Sequence, residues 1–244
     1  MIQILTIGQR QIPYQIRESS KAKRKRIEVS PEGVRVIVPQ GTPYKGEDSV
    51  ASYVYSQRKW VFRSLQKVQT EQQRRFQQRY ASGARLQFRG RWLGLDVVEG
   101  EVKTVQVLCR SRFHVTVPCG LSELQKLQRV RDALHTWLRD KALKDVRRLV
   151  KQYSDELEVE ASSVSLSDST RRWGICTTKG TIRIHWQLIQ APRAAFEYVV
   201  AHEVAHLKER NHGVAFWNLL ATILPDWSRR KALLEQWESE HRAV

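Results

Sequence analysis

The sequence predicts an α+β protein, in which a β-rich N-terminal region with one long helix precedes a compact helical core. Three observations support this class. Short segments of alternating apolar and polar residues fill the first 40 positions, as in half-buried strands. Apolar residues then recur at three- and four-residue spacing in two long stretches, as in amphipathic helices. Two strand-like segments and another helical pattern follow, so we place the two regions at residues 1–120 and 121–244.

Alternation and turn residues define the elements of the N-terminal region. The sequence SPEG at residues 30–33 supplies a turn between two strand-like segments, which predicts a hairpin. Residues 47–80 follow helical spacing, and the exposed face of this helix is rich in Lys and Arg. Strands are predicted at residues 12–16, 27–29, 34–38, 86–88, 93–98 and 102–108.

The C-terminal region is predicted to begin with a long amphipathic helix over residues 122–153. Strands are expected at residues 159–166 and 181–188, where β-branched residues or alternation occur. Pro192 then opens a helix, because its missing N–H costs nothing in the first turn. From its order and alternation, we hypothesise that strand 181–188 is a sheet edge that can pair with an added extended chain.

Composition indicates a folded protein without a membrane span. The 244 residues are 41% hydrophobic and include eight Trp, enough for a substantial core. The first residues lack the apolar segment of a secretory signal, and no stretch approaches the roughly 18 apolar residues of a membrane helix. Three scattered cysteines without a CxxC pair indicate neither a disulfide framework nor a cysteine zinc site. We therefore expect a soluble, cytoplasmic protein.

The charge is strongly positive. Lys and Arg number 42 against 25 Asp and Glu, a formal net charge of +17 that favours contact with polyanions such as nucleic acid. The densest run is KAKRKR at residues 21–26, with five positive charges in six residues. Nonspecific nucleic-acid binding and a merely solvated basic surface both fit this pattern.

The motif that carries chemistry is HExxH, formed by His202, Glu203 and His206. Helical positions four apart differ by about 40° in direction, so the two imidazoles converge on one ion. Glu203 lies on the neighbouring flank, within reach of a metal-bound water but outside the ligand row. This placement suits a general base in zinc catalysis.

A third ligand is required, because catalytic zinc uses three protein ligands and one open position. His212, six residues after His206, fits if the helix ends after Leu207 and the chain returns, with Asn211 tolerating a left-handed turn. The spacing is that of the metzincin motif, although Glu209 stands at the glycine position. A carboxylate from the last helical segment is the alternative ligand, from Glu235 or Glu238.

These residues predict a zinc-dependent hydrolase, and a metallopeptidase is the interpretation we favour. Zn²⁺ lowers the pKa of a bound water toward roughly 7, and Glu203 would take the proton during attack on a peptide carbonyl. The expected partner is therefore a protein or peptide substrate. A closed zinc site without catalysis, in a binding module, is the structural alternative.

Longer stretches around this motif resemble the YgjP-like predicted metal-dependent hydrolases, which are relatives of the SprT-like zinc metallopeptidases. Weaker matches, such as VRVIVPQGT and FRGRWLGL, extend the resemblance through the N-terminal half. The main matching stretches are DSTRRWGIC, KGTIRIHWQLIQAP, YVVAHEVAHLKERNHGVAFW and LPDW.

The resemblance implies a zincin-like core, in which the long helix packs behind the metal helix and a small sheet flanks both. It also implies zinc held by His202, His206 and His212, with Glu203 as the base. The SprT-like relatives suggest an alternative function, a nucleic-acid-associated protease that acts on DNA-bound proteins and uses the basic half as its anchor. Ile175 and His185 depart from the usual family residues, so substrate preference does not transfer.

Three further residues are candidates for contact with the substrate or for support of the metal ligands. In RRWGIC, a Trp and a Gly beside a positive pair could form a substrate-side loop, with Arg172 stabilising a developing oxyanion and Cys176 near the metal. The segment could equally be a structural turn with a buried Trp. Tyr198 lies one turn before His202 and faces the same side. It could support that ligand, act as an electrophile, or be an ordinary core Tyr.

Overall fold

The computed structural model describes residues 2–43, 46, 48–169 and 171–241. These residues divide into two compact units, residues 1–78 and 79–244. The predicted α+β class, with a β-rich N-terminus followed by a helical core, is confirmed. The predicted boundary at residue 120 remains a prediction. No helix among the described residues is long and apolar enough to cross a membrane.

The first unit is a four-stranded sheet covered by helical residues. The strand order is β1-β2-β4-β3, with β2 and β4 parallel and the other pairs antiparallel. The hairpin predicted at SPEG joins β3 to β4. Apolar side chains of the sheet, such as Val36, pack with Val54 and Val61 of the helices to form the core. The bounds are β1 Ile2–Ile7, β2 Arg10–Ser19, β3 Arg26–Ser30, β4 Gly33–Pro39, α1 Val50–Ser56 and α2 Arg58–Tyr80.

The helix predicted over residues 47–80 is two helices, because the chain leaves helical geometry at Gln57, the C-cap of α1. The Ser49 side chain accepts a hydrogen bond from the Ser52 backbone N–H and caps the start of α1. Helix α1 therefore begins at Val50, three residues after the predicted start, and residue 47 of the predicted range lies outside the described residues.

The second unit begins with another four-stranded sheet, in the order β5-β6-β8-β7. Its strand β8 was not predicted, although Phe113, Val115 and Val117 alternate and are buried. The strands are β5 Arg85–Phe88, β6 Arg91–Gly100, β7 Gln106–Cys109 and β8 Phe113–Pro118.

The long helix α3, Glu123–Leu157, agrees with the predicted amphipathic helix and extends four residues further. Ser122 and Gln125 form a reciprocal capping box at its start. Its apolar side faces the next part of the unit, where α3 packs against β9 and α4. The remaining elements are β9 Ser163–Ser167, β10 Gly174–Cys176, β11 Thr181–His185, a 3₁₀-helix Trp186–Gln190, α4 Arg193–Ala205, α5 Val214–Ile223 and α6 Trp227–His241.

The small sheet of the core has the order β10-β11-β9, so β11 is its central strand. The hypothesis that strand 181–188 is the substrate edge is therefore wrong. The physical reason is that the segment RRWGIC, interpreted from sequence as a loop or turn, forms β10 and pairs with β11. The strand also ends at His185, whose Nδ1 accepts the Gln187 backbone N–H and caps the following 3₁₀-helix.

Candidate metal centre

Helix α4 carries the HExxH motif through the interior of the second unit. Pro192 was predicted to be the first helical residue. It is instead the N-cap, and the helix begins at Arg193. The helix is apolar on almost every side, and it packs against α3, α5, α6, β10 and β11. His202 lies in its last turn, and His206 is its C-cap. This burial holds both imidazoles in fixed positions at the end of the helix.

The chain turns back after α4 and brings His212 beside the helix. One tight turn encloses the C-cap, where Leu207 N–H donates to Val204 O, and a second follows at Gly213, whose N–H donates to Asn211 O. The expectation that Asn211 uses a left-handed conformation is wrong. Apart from glycines, only Arg89 and Glu158 have positive φ among the described residues.

The three imidazoles converge on one point. The Nε2 atoms of His202 and His206 are 3.2 Å apart, those of His206 and His212 are 3.1 Å apart, and those of His212 and His202 are 2.9 Å apart. Three nitrogens bound tetrahedrally to Zn²⁺ at about 2.0–2.1 Å would be separated by about 3.3 Å. A small outward adjustment would therefore fit them to a zinc ion. Within the described part of the chain, these histidines form the one cluster of metal-binding side chains.

Helix α5 encloses the cluster with aromatic rings. The ring centroid of Phe216 lies 4.8 Å from those of His202 and His212 and 4.5 Å from that of His206. Trp217 stacks on His212, and its Nε1–H donates to the His212 backbone carbonyl at 3.0 Å. These contacts restrict the orientations of the imidazoles and reduce the cost of ordering them around an ion.

The local environment keeps the buried histidines neutral. Burial, together with the neighbouring His206 and His212, lowers the pKa of His202 to about 3. Burial also lowers the pKa of His206. The Nδ1 of His206 lies 2.9 Å from the Glu209 carbonyl oxygen, to which a protonated Nδ1 donates. That tautomer leaves the Nε2 lone pair directed at the cluster, as a metal ligand requires.

Glu203 lies against the backbone of β10. Its side chain is 7% exposed, and burial raises the pKa of its carboxyl group to about 7, although the Cys176 backbone N–H and the Arg172 charge oppose this shift. A methyl group on Gly174 would lie 2.5 Å from Glu203 Oε1. Gly174 therefore allows the close approach of the carboxylate to the strand.

The residues surround a cleft of about 520 Å³. All three further residues singled out in the sequence, Arg172, Cys176 and Tyr198, line it. The role of Gly174 was missed, although a glycine inside a short strand is a signal of close backbone approach. Trp173, from the segment considered as a substrate-side loop, also lines the cleft, and the lining residues not anticipated from sequence are Ile175, Val199 and Arg210.

The polar groups of the cleft have distinct states. Burial raises the pKa of Tyr198 to about 12, so its hydroxyl stays protonated and can donate a hydrogen bond. Burial also raises the pKa of the Cys176 thiol, which disfavours the thiolate that a metal ligand needs. The Arg210 guanidinium donates to the backbone carbonyls of Thr177 at 2.7 Å and Thr178 at 3.3 Å. It thereby fastens the segment after α4 to the turn after β10.

The carboxylates considered as alternative ligands lie outside the histidine cluster. Glu238 accepts a hydrogen bond from the Trp173 indole N–H. Glu235 is 3.6 Å from the Lys231 ammonium group on the same helix. Both carboxylates thus have other partners.

Comparison with known proteins identifies related sequences. A family model described as YgjP-like, metallopeptidase domain, matches residues 23–237. Among solved structures, the metallopeptidase zymogen of Pyrococcus abyssi, abylysin, is 21% identical, with 40% of this chain and 95% of that chain covered. The TM-score of 0.35 is too low to support any structural argument. A search of curated proteins gave no significant match.

Proposed function

Since the chain belongs to the YgjP-like metallopeptidase family, we propose that it is a zinc-dependent peptidase. In this proposal His202, His206 and His212 hold the metal, and Glu203 is the catalytic base. The observation that carries it is the approach of three imidazole Nε2 atoms to within 3.2 Å of one another, beside a buried carboxylate that lines the same cleft.

A zinc ion held by these nitrogens would act as a Lewis acid, which polarises a peptide carbonyl and lowers the pKa of a water toward roughly 7. Glu203 accepts the proton of the attacking water and delivers it to the leaving amine. A pKa near 7 suits both steps, because the group must gain and lose a proton in one cycle. Arg172 and the Tyr198 hydroxyl line the same cleft and can stabilise the developing negative oxygen.

The substrate we propose is an extended segment of a protein or peptide, bound along β10. Trp173 O accepts from His185 N–H at 2.7 Å, and Thr177 N–H donates to Thr181 O at 2.9 Å, so these groups face β11. Backbone N–H and C=O groups alternate in direction along a strand, so those of Gly174 and Cys176 point away from β11. The Cys176 N–H is already bonded to the Glu203 carboxylate, which leaves the Gly174 groups and the Cys176 carbonyl for a peptide. A peptide could add there as a further strand beside Glu203.

Metal removal tests the proposal. We expect about one zinc per chain in protein purified without added metal, and cleavage of an unfolded casein-like substrate. Chelation should stop cleavage, and one equivalent of Zn²⁺ should restore it, because the ion is needed for the chemistry. Metal content and cleavage are measured on the same samples. Undiminished cleavage by zinc-free protein would contradict the proposal, whereas a closed structural site would lose stability on chelation without ever having cleaved.

Gly174→Ala should strongly reduce cleavage while zinc content is retained. The added methyl group would lie 2.5 Å from Glu203 Oε1 and 2.6 Å from its Cγ, so the carboxylate or the strand must move. We expect the cleavage rate to fall by about 100-fold, because a small displacement of a catalytic group can cost this much. The measurement is the cleavage rate at equal zinc loading.

Gly213→Ala is the matched control. Gly213 follows the ligand His212, has a φ of −76°, and an added methyl group would have no neighbour within 4 Å. Cleavage by this variant should stay within a few-fold of wild type. Equal losses in both variants would show that the effect at Gly174 is not specific to Glu203.

A further inference from the structure

A second cleft, of about 460 Å³, lies entirely within the first compact unit. One wall is the basic run found in the sequence, where Arg24 and Lys25 lead into β3 at Arg26. The other wall comes from the helices, with Tyr53 on α1 and Trp60 on α2. We refer to it as the basic-aromatic cleft, and its remaining lining residues are Ile27 and Gln57.

The aromatic wall is exposed to solvent. Trp60 is 48% exposed, although the next residue, Val61, is completely buried in the core of the unit. The Tyr53 hydroxyl donates to the Lys25 backbone carbonyl at 3.2 Å, which ties the aromatic wall to the basic wall. Near Trp60 in sequence, the Arg58 guanidinium lies 4.2 Å above the ring of the exposed Tyr55. The indole of Trp60 thus has a free surface that packing of the unit does not require.

The basic wall keeps charge available for a ligand. Arg24 and Arg26 are exposed. Lys25 Nζ donates to the Asp48 backbone carbonyl and lies 6.0 Å from the Tyr53 ring centroid. Arg26 pairs with Glu28 at 3.2 Å, but an ion pair this exposed is weak and easily exchanged for a phosphate. Residues 1–78 contain fifteen Lys and Arg against six Asp and Glu, so the surrounding field is also positive.

We infer that the basic-aromatic cleft binds single-stranded nucleic acid. Arg24, Lys25 and Arg26 contact the phosphates, and a base stacks on the exposed indole of Trp60. Exposed aromatic rings beside a positive groove are the combination that single strands recognise, because every unpaired base has a free π-face. A duplex keeps its bases stacked and offers phosphates alone. Such binding would also supply the anchor that a protease acting on DNA-bound proteins requires.

The test is fluorescence anisotropy of the full chain with labelled oligothymidylate and oligouridylate of about 20 nucleotides, and with a duplex of equal length. The measurement does not depend on peptidase activity, so its failure is separate from failure of the proposed function. Both single strands should bind more tightly than the duplex. The single strand with the higher affinity identifies the ligand as DNA or RNA, and either result supports the inference.

Two changes to the cleft should have different signatures. Trp60→Ala should weaken binding about 10-fold with little change in salt dependence, whereas Trp60→Phe, which keeps an aromatic face, should retain most of the affinity. The triple change Arg24→Gln, Lys25→Gln and Arg26→Gln should lower the salt slope by about 2, since each phosphate contact on a single strand contributes about 0.7.

Matched controls lie in the second unit. Trp92→Ala removes an indole that is 52% exposed, and the triple change Lys103→Gln, Arg110→Gln and Arg129→Gln removes three exposed charges. Both should bind single strands nearly as wild type does. The inference is overturned by equal losses in cleft and control variants, by unchanged binding in Trp60→Ala, or by tighter binding to the duplex. Thermal unfolding of each variant verifies that the fold is kept.

Discussion

Glu203→Gln is expected to reduce peptide cleavage by about 10²–10⁴-fold while zinc content and thermal stability remain close to wild type. Glutamine keeps the size and most of the hydrogen-bonding shape of the side chain, so the contact with Gly174 is preserved. It cannot accept the proton of the attacking water. The loss should therefore appear in the catalytic rate, measured as cleavage of an unfolded casein-like substrate at equal zinc loading.

Glu209→Gln is the control for this change. Glu209 is in the segment after α4 and contributes its backbone carbonyl to His206, but its side chain does not line the cleft. The same chemical change should there leave cleavage almost unaltered. Wild-type cleavage by Glu203→Gln would refute the assignment of the base. A site in which zinc is only structural would be insensitive to both changes.

His212→Ala is expected to lower zinc affinity by more than roughly 100-fold. Loss of a residue that only hydrogen-bonds a metal ligand costs roughly 10–100-fold, and this change removes a ligand itself. Two histidines from one helix would remain, and two ligands do not complete the coordination shell of zinc. Cleavage should be lost together with the metal. The measurement is zinc content after dialysis, combined with competition against a chelator of known affinity.

Three variants make this result specific. His114→Ala removes an exposed histidine on β8 and should not change zinc affinity. Glu235→Gln and Glu238→Gln should likewise retain zinc, because those carboxylates lie outside the histidine cluster. Zinc retained in His212→Ala and lost in one of the glutamate variants would transfer the ligand role to that carboxylate.

The amphipathic helices could be predicted from the sequence because their apolar periodicity is long and their caps are local. The predicted helix at 122–153 agrees with α3, and Ser122 at its start forms the capping box there. The HExxH motif likewise specifies its own geometry, since helical spacing alone brings His202 and His206 together. Such features depend on residues close in sequence, which is why one chain suffices to predict them.

Features that depend on pairing between distant segments could not be predicted. Strand β10 has three residues, too few for a periodic pattern, and it becomes a strand only by pairing with β11. The sequence prediction therefore placed the sheet edge at β11 instead of β10, and it missed the contact between Gly174 and Glu203. The return of His212 to the helix also uses turns without the left-handed Asn211 expected from its sequence preference.

The clamp made by Arg210 has a thermodynamic consequence. Its guanidinium joins the segment that carries His212 to the carbonyls of Thr177 and Thr178, directly after the proposed substrate strand. If zinc and peptide bind as proposed, ordering the His212 segment would lower the entropic cost of ordering the turn after β10, and the reverse, so the two affinities would be linked through this side chain. By thermodynamic reciprocity, a bound peptide should raise the zinc affinity by the same factor by which bound zinc raises the peptide affinity. Removing the guanidinium should therefore weaken this coupling and leave only the part that comes from direct contact between the metal and the peptide carbonyl.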